Sequence, residues 1–192
     1  MLEQVHISPN LHTSPEGVKY RLIAGRTTNP RIESKEKQLR AHTTTVEVII
    51  SDSQPARFGS QFGHAAIVVK GIAYSRAPRG YDSTNTYAKY VVIQQSFRNS
   101  IGYVLRVSPD EERRLEAELK RRVHATNDDP GGHPYSLLDN SCSSNVVDAL
   151  HLIGILAHDP RGFGIVSPAD VAVGLSHSDR IEEKRLYRKA GS

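Results

Sequence analysis

Runs of apolar and β-branched residues predict most of the strands in the first half of the chain. The clearest runs, at 45–51 and 64–69, are nearly continuous in their apolar part, as expected of buried strands. Lys70-Gly71 is typical of a two-residue turn, so 72–76 is predicted to return as the second strand of a β-hairpin. Weaker apolar runs predict three further strands, at 18–24, 89–95 and 102–107.

Capping signals predict three helices in the second half. Ser108-Pro-Asp-Glu is a capping box with proline at the first helical position, and it predicts a helix to about His124. A second helix is predicted at 143–153, ending before a glycine in the C′ position. Ser167 is predicted to cap a third, short helix that runs to about residue 175.

The remaining segments are rich in charged residues or in residues that break helices and strands, so they are not expected to contribute to the core. Residues 79–86 and 159–164 are predicted to be surface loops, 33–40 a loop or a short exposed helix, and 178–192 an exposed helix or tail. With 192 residues, of which 38% are hydrophobic, the chain can bury one ordinary core. We therefore expect a single domain over 1–192, with its core at about 45–176 and with 1–44 and 178–192 peripheral.

Charge and hydropathy narrow the expected partners and location. The net charge of +4 makes the chain mildly basic, but its bases are mixed with acids, so no nucleic-acid-binding surface is expected. The positive net charge gives weak support for an anionic partner such as a cell wall or membrane surface. Apolar runs fall short of membrane-spanning length, so we expect no stable membrane insertion. The N-terminus lacks the pattern of a Sec signal, so we expect synthesis in the cytoplasm.

The candidate chemistry centres on Cys142, the single cysteine of the chain. It lies where a short polar turn meets the predicted helix at 143–153. A helix N-terminus lowers the pKa of a thiol and supplies N–H donors for an oxyanion, so this position suits a nucleophile. The alternative is a buried thiol that packs as a small hydrophobe. No metal-ligand spacing is present, and no cofactor is expected.

A nucleophilic cysteine needs a base, and His64 is the best candidate among nine histidines. It begins the predicted strand at 64–69 directly after a glycine-containing loop. His133 is the second candidate, in a loop whose position the sequence does not fix. In the predicted hairpin register, Ser75 is a diagonal cross-strand neighbour of His64.

Two segments together resemble the circularly permuted NlpC/P60 (papain-like) superfamily. They are Phe62-Gly-His64-Ala-Ala-Ile-Val-Val, which begins the hairpin, and Tyr135-Ser-Leu-Leu-Asp-Asn-Ser-Cys142, which opens a helix. In that superfamily the histidine strand precedes the cysteine helix, and the resemblance covers about 45–155. It implies an α+β, papain-like fold with an antiparallel sheet packed against the cysteine-bearing helix.

The resemblance also implies roles for individual residues. Cys142 would be the nucleophile and His64 the general base, later the acid for the leaving amine. The third position, usually His, Asn, Gln or Asp, falls at about Ser75, which is a departure from the family pattern. The backbone N–H of Cys142 would bind the oxyanion. Tyr135 would either assist it or simply pack in the core.

Bacterial members of this superfamily mostly cut amide bonds in peptidoglycan stem peptides. The chain also resembles the TseH-like type VI secretion hydrolases, which implies delivery into the periplasm of a target bacterium. The implied partners are a peptidoglycan peptide, a cognate immunity protein and components of the secretion system. One alternative is thiol acyl transfer or lipid hydrolysis, as in the lecithin retinol acyltransferase branch, which would favour an apolar acyl-chain groove. Another is a non-catalytic binding module with a structural Cys142.

Overall fold

The computed structural model describes residues 6–13, 19–24, 44–54, 61–157 and 165–191. The chain divides into two compact units, 1–40 and 41–192. In the first, β1 (His6–Thr13) pairs antiparallel with β2 (Lys19–Ala24). The strand predicted at 18–24 is therefore confirmed, whereas β1 was not predicted. Its sequence contains Pro9, and its register shifts between Ile7 and Leu11, which obscures the strand pattern. The segments predicted at 33–40 and 159–164 lie outside the described residues.

In the described part of the second unit, six strands form one antiparallel sheet in the order β6-β5-β4-β3-β7-β8. The strands are β3 (Thr44–Ser51), β4 (His64–Val69), β5 (Ile72–Ala77), β6 (Gly80–Thr86), β7 (Ser100–Val107) and β8 (Ile181–Tyr187). The predicted hairpin is confirmed, since Val69 pairs with Ile72. Lys70 and Gly71 have φ angles of 48° and 75°, as a type I′ turn requires.

Four helices accompany the sheet in the described residues. They are α1 (Tyr87–Gln95), α2 (Pro109–Asp128), α3 (Cys142–His151) and α4 (Pro168–Ser176). The main core lies between the sheet and α2, α3 and α4, where Ile67 and Leu105 pack with Leu115 and Leu150. A smaller cluster on the opposite face joins Tyr90 of α1 to β3, β4 and β5. The protein therefore has an α+β architecture in which an antiparallel sheet packs against the helix that begins at Cys142. None of the described helices has both the length and the apolar character needed to cross a membrane.

The prediction of a strand at 89–95 is wrong, because these residues form α1. The run contains the β-branched residues that favour strands, but Val92 and Ile93 lie on the exposed side of the helix. Tyr90 and Gln94, one turn apart, are the residues that α1 buries. Tertiary packing of these two side chains therefore overrides the local strand preference.

Two polar segments predicted to lie outside the sheet are edge strands instead. Residues 79–86, predicted as a loop, contain β6, and 178–192, predicted as an exposed helix or tail, contain β8. Edge strands are exposed on one side and carry charged residues that discourage pairing with other chains, so they read as loops in a sequence. In β6 the buried residues are Tyr81 and Asn85, which is too few to give a strand pattern.

A buried carboxylate attaches β8 to the sheet. Glu47 of β3 accepts hydrogen bonds from the Tyr187 hydroxyl and, at 3.0 Å, from Arg185 Nη1. Between them on β7 lies Gly102, where an added Cβ would come 1.9 Å from Glu47 Oε1. Glycine at this position thus makes room for a charged contact that crosses three strands.

We expect Glu47→Gln to lower the free energy of unfolding by about 1–3 kcal/mol, because Arg185 and Tyr187 lose a charged, buried acceptor. Urea denaturation measures the change. Glu182→Gln is the matched control, since the same substitution at an exposed position of β8 removes no buried contact. Equal effects of the two substitutions would contradict this account of how β8 is held.

Candidate active site

Cys142 is the first residue of α3, and a hydrogen-bonded turn fixes it there. Ser141 is the N-cap: its hydroxyl accepts from Ser144 N at 3.2 Å, and its own N–H donates to Ser144 Oγ at 2.8 Å. Asn145 holds the turn from inside, donating to Asn140 Oδ1 and to the Ser141 carbonyl, both at 2.9 Å. The thiol, 4% exposed, therefore lies at the positive end of the helix dipole.

His64 is placed by the way β4 begins. The preceding Gly63 has a φ of 105°, and a Cβ there would lie 2.7 Å from the Ser51 carbonyl oxygen of β3. Glycine therefore allows both the turn and the close approach that lead into the strand. The ring of His64 is buried, and its Nε2 lies 2.5 Å from Ser75 Oγ on β5. This hydrogen bond leaves Nδ1 as the free nitrogen of the ring.

The thiol of Cys142 interacts with this imidazole. Burial, the largest influence, raises the pKa of the thiol, but hydrogen bonding and charge from His64 lower it. The Ala65 backbone N–H and the Ser143 hydroxyl add to the lowering, and the net result is a pKa of about 7. Nδ1 is buried and has no hydrogen bond of regular geometry among the described residues. A substantial fraction of Cys142 is therefore thiolate near neutral pH, with the imidazole beside it.

Tyr135 lies on the other side of the thiol. Burial, followed by the negative charge of Cys142, raises the pKa of Tyr135 to about 12, and the hydroxyl interacts with both the sulfur and the backbone N–H of Cys142. A phenol with this pKa stays protonated at neutral pH and can donate a hydrogen bond. The sequence analysis left open whether Tyr135 assists the site or packs in the core. In the structure, the Tyr135 hydroxyl lies beside Cys142.

Arg76 of β5 is buried beneath Tyr135 and holds the loop that carries it. The guanidinium is 5.5 Å from the centre of the Tyr135 ring, and Nη2 donates to the His133 carbonyl at 2.7 Å. Nη1 donates to the carbonyls of Ala77 and Gly80. Arg76 thus fixes the loop through backbone acceptors and a cation–π contact rather than through a carboxylate.

A third group lies behind the imidazole. The Tyr90 hydroxyl of α1 is buried and interacts with Ser75, although it has no hydrogen bond of regular geometry. Burial raises its pKa, so it remains a neutral phenol. Ser75 therefore has a second polar neighbour besides His64.

A cleft of about 190 Å³ leads to the thiol. Its described lining comes from three separate segments, around Phe62, Tyr135 and Ile165, and includes Leu137 and Pro168. Serine hydroxyls, the Gln61 amide and the Tyr135 hydroxyl are the polar side-chain groups of this lining, and none of its described residues is Asp, Glu, Lys, Arg or His. The opening beside Cys142 is therefore predominantly apolar.

The structure brings together the three predicted site residues, Cys142, His64 and Ser75. His133, the second candidate base, has an exposed side chain and contributes only its carbonyl to this region. The sequence analysis missed Arg76 and Tyr90. Neither has a local signal, because Arg76 sits in an ordinary strand pattern and Tyr90 in a segment predicted as a strand.

Comparison with known proteins identifies a solved structure with a similar fold. No protein-family model matches the chain, and no curated protein matches it. Among solved structures it is similar to the crystal structure of the type VI secretion system effector TseH, with a TM-score of 0.51 and 14% identity, over 75% of this chain and 97% of that one. The fold is TseH-like. At this identity the similarity concerns the fold alone, and the finer resemblance to the permuted NlpC/P60 superfamily stays a prediction.

Alkylation should report the lowered thiol pKa directly. We expect the rate of Cys142 modification by iodoacetamide to rise with pH with a midpoint near 7. In His64→Ala the midpoint should move upward, because burial still raises the pKa and the imidazole no longer opposes it. Mass spectrometry measures the rate without ambiguity, since the chain has one cysteine.

His151→Ala provides the matched control, because this histidine is exposed at the far end of α3. Its midpoint should remain that of the unchanged protein. A midpoint that stays near 7 in His64→Ala would show that the helix terminus alone sets the thiol pKa.

Proposed function

We propose that this protein is a cysteine hydrolase that forms an acyl-enzyme on Cys142. The observation that carries the proposal is the thiol pKa of about 7, caused largely by His64, at a helix N-terminus that opens onto a cleft. A buried structural thiol without a partner would have a raised pKa and no need of access. The geometry thus favours an enzyme over a binding module.

In the first half of the reaction, the thiolate attacks the carbonyl carbon of an amide and the carbonyl oxygen becomes an oxyanion. The Cys142 N–H and the Tyr135 hydroxyl are the donors available to that oxygen. The imidazolium of His64 then gives its Nδ1 proton to the leaving nitrogen, the C–N bond breaks, and a thioester remains on Cys142.

In the second half, neutral His64 accepts a proton from water, and the hydroxide attacks the thioester. The new oxyanion collapses, the C–S bond breaks, and the acid product leaves with the thiolate–imidazolium pair restored. Throughout, the Ser75 hydroxyl accepts from Nε2–H and keeps Nδ1 directed at the sulfur. Each proton taken in one step is returned in another, so no co-reactant besides water is needed.

For the substrate, we propose amide bonds in peptidoglycan stem peptides, cut after delivery by a type VI secretion system into the periplasm of a target bacterium. The TseH-like fold supports an effector role, and the net charge of +4 suits an anionic cell wall. A cognate immunity protein and secretion components are then the proposed partners.

A second candidate function is acyl transfer or lipid hydrolysis by the same thiol. The observation that favours it is the apolar lining of the cleft, around Phe62, Leu137 and Ile165. The chemistry at Cys142 would be unchanged, with an ester in place of the amide. Incubation with phospholipid vesicles as well as with sacculi separates the two candidates by their products.

Digestion of purified sacculi tests the proposal. We expect the unchanged protein to release soluble fragments with cut stem peptides, seen by chromatography and mass spectrometry. Cys142→Ala should abolish their release, and His64→Ala should slow it by about 10²–10⁴-fold, the usual contribution of a general base. His133→Ala, which changes an exposed side chain, should remain active. Unchanged release by both site variants would refute the assigned pair.

Ser75→Ala should reduce the hydrolysis rate by up to about tenfold, the cost of one hydrogen bond between neutral groups. Because Ser75 acts through His64, the pH dependence of the rate should shift together with its magnitude. Ser83→Ala on β6 is the control, as Ser83 makes no contact with His64 among the described hydrogen bonds. A lower rate with an unaltered pH profile would instead indicate that Ser75 only supports packing.

A further inference from the structure

The composition of the cleft restricts the group that lies beside the scissile bond. Of the described residues that line it, none is Asp, Glu, Lys, Arg or His, so a charged substrate group would lose hydration without gaining an oppositely charged side chain among them. Apolar side chains form most of the wall. Leu137 and Ile165 stay 42% and 54% exposed, although apolar side chains of this size gain by burial.

The size of the cleft sets a second limit. Sites that enclose a drug-sized ligand have volumes of about 300–1,000 Å³. A cleft of about 190 Å³ is smaller, and Cys142 forms part of its lining. It therefore has room for one side chain or a short acyl chain, and not for a complete lipid tail.

We propose that this cleft is a specificity subsite for a single, uncharged, apolar substrate group next to the bond that Cys142 attacks. The proposal rests on the proposed function in that it takes Cys142 to be the nucleophile. It goes further by excluding substrates whose carboxylate would have to enter the cleft. Occupation would cover Phe62, Leu137 and Ile165, the exposed apolar residues around the thiol.

Alkylating probes test the subsite separately from hydrolysis. N-pentyl iodoacetamide places an apolar chain beside the thiol as the sulfur displaces iodide, and N-methyl iodoacetamide lacks that chain. N-(4-carboxybutyl) iodoacetamide carries a terminal carboxylate on a chain of similar length. We expect the pentyl probe to modify Cys142 about tenfold faster than the methyl probe, since burying each CH₂ group is favourable. The carboxylate should remove this gain.

Two neighbouring leucines give a matched pair of variants. Leu137 lines the cleft, whereas Leu138 is 62% exposed and is not part of the lining. Leu137→Asp should abolish the preference for the pentyl probe, measured as the ratio of the pentyl rate to the methyl rate within the same variant, so that any change in the thiol pKa cancels. Leu138→Asp should retain the preference. Equal rates for the pentyl and carboxybutyl probes, or equal loss in both variants, would overturn the proposal.

Chain length distinguishes a short group from a lipid tail. A dodecyl probe should give no gain over the pentyl probe, and a further large increase would overturn the inferred size of the group. The outcome is also separable from the proposed function. A pentyl preference without digestion of sacculi or lipids supports the subsite and rejects the hydrolase. Digestion without any alkyl preference rejects the subsite alone.

Discussion

The contact between the Cys142 thiol and the His64 imidazole is the interaction on which the site depends. Burial acts against charge, and by itself it would keep the thiol protonated and unreactive. The imidazole can lower the thiol pKa against the effect of burial only because the first residue of β4 lies next to the first residue of α3. Gly63, which lets β4 start close to β3, and Ser141, which caps α3, therefore help to place the imidazole beside the thiol.

The surroundings of this pair are held mainly by neutral groups. Asn145 and Ser141 secure the helix turn, and Arg76 secures the Tyr135 loop through backbone carbonyls. A carboxylate close to the thiol would raise its pKa by repulsion. Arg76 fixes the loop with a positive charge 5.5 Å from the centre of the Tyr135 ring, and this charge lowers the pKa of the Tyr135 hydroxyl against the effect of burial.

Much of the fold could be predicted from local sequence signals, and the rest depends on tertiary contacts. The turn at Lys70-Gly71 and the caps at Ser108 and Ser167 depend on neighbouring residues, so the sequence predicts them correctly. Tyr90 of α1 packs against residues of β3, β4 and β5, and side chains of β8 are bound by Glu47 across β7. In both cases the partner residues lie outside the segment concerned.

The candidate site could likewise be predicted only in part from the sequence. Cys142 was indicated by its place at a helix start, and the position of Ser75 beside His64 followed from the two-residue period of a hairpin. The cleft could not be predicted, because its walls come from segments around residues 62, 137 and 165 that only the fold brings together.

The departure at Ser75 has a physical explanation in the charge of the pair it serves. A serine nucleophile is neutral until it reacts, so its histidine gains from a carboxylate that balances the imidazolium formed later. At a cysteine whose thiol pKa is lowered, the negative charge is already present before the reaction. The third group then needs only to accept a hydrogen bond from Nε2, and a buried carboxylate would add an unbalanced charge. A neutral hydroxyl at 2.5 Å meets that need, with the neutral Tyr90 phenol as a further polar neighbour.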